Sequence, residues 1–401
     1  MTPMRFLKLA IIILLVPALL ACSGNEAGRG GDEPEQVAAN VVRGIWIPDP
    51  THTAMLQSRE AMKTGVALMA DCGINTIFVC AYARTQAAWP SRVYAEASAQ
   101  SDLSATNLFA PYLVAGYGSA DADPIDELIV EADQLGIRVV LWFEYGFMAS
   151  NGPTPTSHPL LAAHPEWQGI ASDGTPANYN GSDYYLNAYR PEVQQFLLDL
   201  IDEGLTRYPH AAGVQVDDRA PAMPRNSGYD DWTKARYASE HNGELPPSNP
   251  QDEAWTAWRL ELLNSFARSL HARVKAHGSN YLLCFAPNPY PWCRDNLMQD
   301  SRTWLREGLV DLLSTQCYRY TSDAYRSTVE AEVAHVEASG AKRSVLNPGI
   351  ILKAGSRLQP DSVLNAQLRI NRLLGTNGES HFYNEGLADP AIRQALKEAY
   401  N

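Results

Sequence analysis

Short apolar runs of strand length recur along the chain, separated by longer stretches whose apolar positions repeat at helical spacing. The runs lie near residues 43–47, 76–80, 138–143, 213–217, 281–285, 311–317, 344–350 and 379–383. Helical patterns fill the gaps at about 58–71, 124–135, 191–207, 252–277, 299–307, 322–339, 360–374 and 389–400. A short, continuously apolar run reads as a strand covered on both faces, and spacings of three and four read as a helix with one buried side. Ser58 and Asp123-Pro124 supply helix starts, and Gly73, Gly136 and Gly340 supply stops. Eight strands alternating with eight helices predict an α/β fold, a TIM (β/α)8 barrel. A doubly wound open sheet alternates in the same way, but no glycine-rich phosphate loop follows the first strand, which ranks it second.

Loop lengths give an independent test. Helix-to-strand connections are tight (Cys72 to Asn75, Gly136-Ile137, Gly278 to Asn280, Gly308 to Val310), whereas the strand-to-helix segments 81–122, 144–190 and 218–251 are long. In a barrel those long loops build the functional face. Three strands also deliver an acid at that end: Glu144 after Trp142-Phe143, Asp217 and Asp218 after Gly213-Val214-Gln215-Val216, and Glu385 after His381-Phe382-Tyr383-Asn384. An ionised carboxylate at a buried strand end needs a partner or a role in chemistry.

Strand parity sorts the acids. Gln215 and Asp217 share one face, and a polar Gln fits the barrel interior better than the helix layer, so Asp217 is expected inside. Asp218 either turns inward as well or pairs with Arg219 as a structural anchor. By the same count Glu144 shares a face with Trp142, and Glu385 with Tyr383 and His381. Glycoside hydrolysis needs two carboxyls, separated by about 5–5.5 Å for retention or about 6.5–9.5 Å for inversion. Acids from the third, fourth and eighth strands meet that requirement in principle. Trp46, Trp89, Trp142, Tyr145, Trp167, Trp292 and Tyr383 lie near those strand ends, where they would stack on sugar faces or line a pocket.

Composition and the N-terminus change the picture in three ways. Arg5 and Lys8 precede an apolar run, Leu9 to Leu20, which closes on Leu19-Leu20-Ala21-Cys22 and resembles a bacterial lipoprotein signal. The expected organisation is a signal peptide at 1–21, a flexible tether at 22–40 beginning with lipidated Cys22, and the barrel at 41–401. Ser23, in place of a retention Asp, points to the outer membrane facing the periplasm. Loss of the leader with its two cations leaves 30 basic residues against 45 acidic, a net charge of -15 that argues against nucleic acid as a partner. Cys72, Cys80, Cys284, Cys293 and Cys317 form no metal-type Cys-x-x-Cys; Cys284 and Cys293 either pair or remain buried thiols. The histidines, among them His52, His158, His164, His210 and His381, show no His-x-His pair, and no nucleophile elbow or phosphate loop is present. No cofactor and no metal is expected, with a calcium site among Asp121, Asp123, Asp230 and Asp231 left open.

Arg43-Gly44-Ile45-Trp46, Arg84 to Trp89-Pro90-Ser91, Trp142 to Ala149 and His164 to Trp167 follow one another in the order of a known pattern. So do Leu186-Asn187 with Pro191 to Phe196, Gly213 to Asp218, Pro287 to Tyr290, Gln316 with Tyr318-Arg319, and Phe382-Tyr383 with Glu385. Over about residues 41–387 the chain resembles glycosyl hydrolase-like family 10, bacterial α/β barrels often exported and tied to cell-wall glycans. Val216 stands where the family has Phe, Arg219 where it has a ring, Ala188 where it has Pro and Thr85 where it has Gly. The resemblance implies a polysaccharide partner, with Arg84, Asn187, Asn288 and Gln316 holding hydroxyl and acetamido groups and Trp46, Trp142, Tyr145, Tyr318 and Tyr383 lining the site.

The resulting expectation is a lipid-anchored glycoside hydrolase acting on peptidoglycan glycan strands or a related polysaccharide. Asp217 would act as nucleophile or base, and Glu144 or Glu385 as proton donor, with Arg219 lowering a neighbouring carboxylate. The competing expectation is a catalytically silent glycan-binding lipoprotein on the same barrel.

Overall fold

The computed structural model describes residues 41–83, 86–150, 152, 154–179 and 183–400. The signal peptide and tether expectations, Cys22 and Arg84 lie outside the described residues. Eight strands form one parallel sheet: β1 Val42–Ile47, β2 Thr76–Cys80, β3 Arg138–Phe143, β4 Gly213–Asp217, β5 Leu282–Ala286, β6 Leu312–Leu313, β7 Gly349–Ile351 and β8 Gly378–Phe382. Their spatial order is the chain order, with β8 beside β1. Between β6 and β7 the ring closes through Asn347 N–H to Leu313 O at 2.8 Å and Gly349 N–H to Thr315 O at 2.7 Å. The expected barrel is therefore the observed fold.

Helices α1 Arg59–Asp71, α2 Pro124–Gln134, α3 Pro191–Arg207, α4 Glu253–His277, α5 Ser301–Arg306, α6 Ser322–Ala338, α7 Asp361–Leu374 and α8 Pro390–Tyr400 surround the ring. Their starts are set by side chains that accept otherwise orphaned N–H groups: Ser58 from Ala61, Asp123 from Asp126 and Asp252 from Trp255. Outward strand residues such as Leu141, Phe143, Val214 and Val216 are buried against this layer. Inward residues pack as rings: Trp46 meets Phe78 at 5.6 Å, Phe382 at 6.2 Å and Trp142 at 6.5 Å. Trp46 Nε1 donates across the barrel to Gln215 Oε1 at 2.6 Å. At Gly44 an added Cβ would lie 2.4 Å from Ser380 Oγ and 2.7 Å from Phe78, so the crowded interior admits no side chain there.

Two strands differ from the pattern. The apolar run 311–317 pairs as a strand only at Leu312–Leu313, because beyond it the backbone turns to the loop after β5, with Gln316 N–H donating to Pro287 O at 2.9 Å. The run 344–350 begins with a helical turn at Arg343–Val345, and its ladder with β8 starts at Gly349, after Pro348, which has no N–H for a ladder. The long loops also carry their own elements: helices Arg92–Ala97, Asp231–Glu240 and Trp292–Leu297, and a small sheet of Met148–Ser150, Asp183–Tyr185 and Asn178–Tyr179. Cys72, Cys80, Cys284, Cys293 and Cys317 are all buried thiols, so Cys284 and Cys293 do not pair. Among the described residues no helix is long and apolar enough to cross a membrane.

Candidate active site

The C-terminal ends of β3 and β4 are adjacent in the ring, and their acids meet around one guanidinium. Asp217 points inward, as parity predicts, and is 3% exposed. Its Oδ1 accepts the Arg219 backbone N–H at 3.0 Å, and its Oδ2 accepts Arg219 Nη1 at 2.7 Å and Trp142 Nε1 at 3.2 Å. The same Nη1 lies 3.5 Å from Asp218 Oδ1 and donates to Glu144 O at 3.1 Å. Asp218 Oδ2 accepts Asn288 Nδ2 at 3.1 Å. Arg219 also lies over the Tyr145 ring at 5.3 Å. Of the two expectations for Asp218, the pairing with Arg219 is the contact observed.

Glu144 is held differently. The Cys80 thiol hydrogen-bonds to its carboxyl, yet Oε2 is buried and has no hydrogen-bond partner. Burial pushes this carboxyl up from the ordinary glutamate value, against the pull of Arg219. Burial also pushes Asp217 up, helped by Asp218 and Glu144 and opposed by Arg219. Arg219 was expected to lower its neighbour; it pulls in that direction, but burial outweighs it. The acids in turn push the Arg219 guanidinium up, so it keeps its proton. Three carboxyls around one cation cannot all ionise in a buried site. Contact with Arg219 and Trp142 stabilises the charge on Asp217 against its burial, whereas Glu144 has the Cys80 thiol and the field of Arg219 and keeps one buried oxygen without a partner.

Glu385 is not part of this cluster. It lies in the turn Asn384–Ala388, four strands round the ring from β4, where Oε1 accepts the Thr53 hydroxyl at 2.9 Å and Oε2 is 3.7 Å from Lys353 Nζ. The parity count fails there because β8 ends at Phe382: Phe382 faces the barrel interior, and His381 faces outward, with Nε2 against Tyr400 Oη of α8 at 2.8 Å. Burial holds His381 down to about 3.

The remaining expected contacts divide. Tyr318 lies near Asp218 and Asp217, which add to the burial that pushes its phenol up. Tyr383 is half-buried near Glu385. Gln316 Nε2 donates to Ala286 O at 2.9 Å, which fixes the floor between β5 and β6. Trp46 and Trp142 are buried in the barrel and form a base beneath the acids rather than an open stacking shelf. Asn187 is the clear correction. It is 0% exposed, and its amide donates at 2.9 Å to Asp230 Oδ2 and at 2.9 Å to Thr233 Oγ1, tying two loops together instead of facing a ligand.

The Asp49–His52 pair in the loop after β1 is missing from the sequence-based expectations. Asp49 and His52 interact electrostatically with Glu144, and a place in the short loop that follows a strand's C-terminal end in a barrel is the signal that would have marked them. Three of the four acids considered for calcium serve as caps and ion pairs: Asp123 with Arg207 at 2.6 Å, Asp230 at the start of the 231–240 helix, and Asp231 with Lys234 at 2.8 Å. Among the described residues no group of His, Cys, Asp and Glu is placed to hold a metal ion. A cavity of about 570 Å³, lined by Trp89, Arg92, Asp202, Glu203 and His277, opens in the helix layer, away from the strand ends. Its acids are already held, Glu203 by Trp89 Nε1 at 2.9 Å and Asp202 by His277 Nε2 at 2.9 Å.

Residues 41–350 match the family described as glycosyl hydrolase-like 10. Glycosyl hydrolase DigH of Escherichia coli O6:H1 is 24% identical, with the alignment covering 97% of this chain and 96% of that protein. The protein of the same name from Escherichia coli K12 is 23% identical over 96% of this chain and 94% of its own length. Among solved structures, the catalytic domain of a β-amylase from Paenibacillus polymyxa superposes with a TM-score of 0.58 at 11% identity, over 90% of this chain and 98% of that one. α-L-Fucosidase isoenzyme 2 from Paenibacillus thiaminolyticus gives 0.59 at 14% identity over 90% of this chain, which spans only 49% of the fucosidase. At these identities the likeness to the solved structures is one of fold.

Proposed function

Because the chain belongs to the glycosyl hydrolase-like 10 family, we propose that it is a glycoside hydrolase acting on peptidoglycan glycan strands or a related polysaccharide. One observation carries the reading: at the ends of adjacent strands, a buried carboxyl with an unpartnered oxygen, Glu144, interacts electrostatically with a carboxylate clamped by a cation, Asp217. In this reading Glu144 keeps a proton and gives it to the leaving glycosidic oxygen, while Asp217 remains charged and attacks the sugar or activates water. Glu385, engaged by Lys353 and Thr53, has no part in proton donation. Tyr318 and Asn288 contact the substrate around the acids. The lipoprotein-like Leu19-Leu20-Ala21-Cys22 supports attachment of lipid at Cys22 and a place in the cell envelope, at the outer membrane facing the periplasm.

A second reading, a silent glycan receptor, has one observation in its favour: Asp217 is nearly inaccessible and both its oxygens are engaged. Digestion of stem-peptide-free glycan strands separates the two. The hydrolase reading expects short saccharides from the wild type, and a loss of at least about a hundredfold in rate for Asp217→Asn and for Glu144→Gln. Glycan binding without cleavage by all three proteins would establish the receptor instead.

A further inference from the structure

We propose that Trp292, packed against Tyr179, is a stacking platform that binds a pyranose ring of the polysaccharide beside the acids, beyond the bond that is cleaved. The inference rests on the reading of the strand ends as a glycan site. Tyr179 comes from the small sheet in the loop after β3, and Trp292 opens the helix Trp292–Leu297 in the loop after β5. Both therefore lie on the face of the barrel that carries the acids. Their half-buried rings meet edge to face, with centroids 6.3 Å apart and planes at 70°. Such a pair leaves the indole at least one face clear of its partner.

The other half-buried indoles are already engaged. Trp232 has the Arg190 guanidinium over its ring at 5.0 Å and that of Arg236 at 5.6 Å. Trp258 stacks on Trp255 at 5.2 Å and 17°, and its Nε1 donates to Glu240 at 2.6 Å. Trp292 differs: among the described residues no guanidinium lies over its ring and no acceptor meets its Nε1. A flat apolar face with a hydrogen-bond donor at its rim matches a sugar, which presents C–H groups on its faces and hydroxyls around its edge. Short links tie this platform to the acids. Asn288, which donates to Asp218 Oδ2 at 3.1 Å, lies so few residues before Trp292 that their Cα atoms are within about 14 Å. Cys293 N–H donates to Pro289 O at 3.1 Å and folds that segment into a turn. On the other side, Gln299 N–H donates to Cys293 O at 3.2 Å and its Nε2 to Asp217 O at 2.9 Å. The helix that carries Trp292 is thus fixed to the strand that carries Asp217, and a saccharide broken at the acids reaches the indole within a few rings.

The test is calorimetric affinity for stem-peptide-free peptidoglycan saccharides, from disaccharide to octasaccharide, in full-length Glu144→Gln protein to block turnover. Affinity should rise with length until the saccharide reaches the platform. Adding Trp292→Ala should weaken binding of the longer saccharides about tenfold and leave the disaccharide unchanged. Trp292→Phe keeps a ring against Tyr179 but lacks the N–H, and should cost the longer saccharides about threefold, a loss that does not come from unfolding. Trp232→Ala, at the ring covered by arginines, should leave every affinity unchanged; an equal loss there would place the glycan elsewhere and overturn the proposal. In cleavage, kcat/KM should show the same dependence on length, and Trp292→Ala should flatten it without slowing the shortest substrate, whereas a merely structural residue would lower all rates together. A length dependence that is absent, or that survives in Trp292→Ala, would overturn the platform and leave the hydrolase reading to stand on cleavage. Length-dependent binding that Trp292→Ala abolishes, with no cleavage by wild type, would sink the hydrolase reading and uphold the platform.

Discussion

Glu332 shows how much one buried side chain can govern here. It sits on α6, is 1% exposed, and accepts the Thr315 hydroxyl at 2.9 Å and the Tyr290 backbone N–H at 2.8 Å. It thereby staples the end of β6 to the loop that carries Asn288, the residue that donates to Asp218. Burial pushes its carboxyl up to about 7. A folded value above the unfolded one means that the native state holds the proton more tightly. The associated stability is complete below about pH 4.5 and is lost as pH rises through about 7, a difference of roughly 3 kcal/mol. Glu332→Gln has no such proton to lose. Thermal melts from pH 5 to 8 should show wild type losing stability relative to Glu332→Gln as pH rises, and parallel curves would refute the assignment. His335 and His381 act with opposite sign: burial lowers them to about 4 and about 3, so their contribution is complete above pH 6.5 and is lost as pH falls through those values. The difference between the two proteins, rather than the wild-type curve, is therefore what isolates Glu332.

At the scale of elements, the strands and helices were legible in the sequence because each obeys one periodicity from end to end. β3, β4 and α3 begin and end where the apolar pattern does. Legibility failed where a residue leaves a periodic element. Parity assigned Glu385 to the barrel interior, but β8 stops before it, and alternation has no meaning in the turn that follows. Asp49 and His52 sit in a loop, where no period marks them. Asn187, between Leu186 and Ala188, carries no sign that its partner is 43 residues away. Its amide joins the loop after β3 to the first turn of the 231–240 helix, and its Oδ1 accepts the Tyr189 N–H at 3.1 Å. Asn187→Ala strips the half-buried Asp230 and the buried Thr233 side chains of a donor, which should cost about 1–3 kcal/mol. Denaturant midpoints at unchanged m-value would measure that loss. A variant as stable as wild type would mean that the two loops are held by other contacts.

For the whole molecule, closure of the ring is the property on which the site depends, because Glu144 and the β4 acids are aligned only by the strands beneath them. β1 is paired on both sides, with β8 from Val42 to Ile45 and with β2 from Gly44 to Ile47. Its start is pinned further by Val42 N–H to Asn377 Oδ1 at 3.4 Å and Asn347 Nδ2 to Val42 O at 3.3 Å. Deleting residues 1–40 leaves every one of these pairings in place, and the melting temperature should stay within about 3 °C of the full-length protein, equivalent to roughly 2 kcal/mol. Deleting residues 1–48 removes β1 itself. β2 and β8 then become open edges, and the aromatic ring built on Trp46 loses its centre. That protein should lose its cooperative transition, as read by calorimetry and near-ultraviolet circular dichroism. A sharp, wild-type-like melt of residues 49–401 would show that the remaining seven strands hold the barrel without closure, and that the acids at β3 and β4 need only their immediate neighbours.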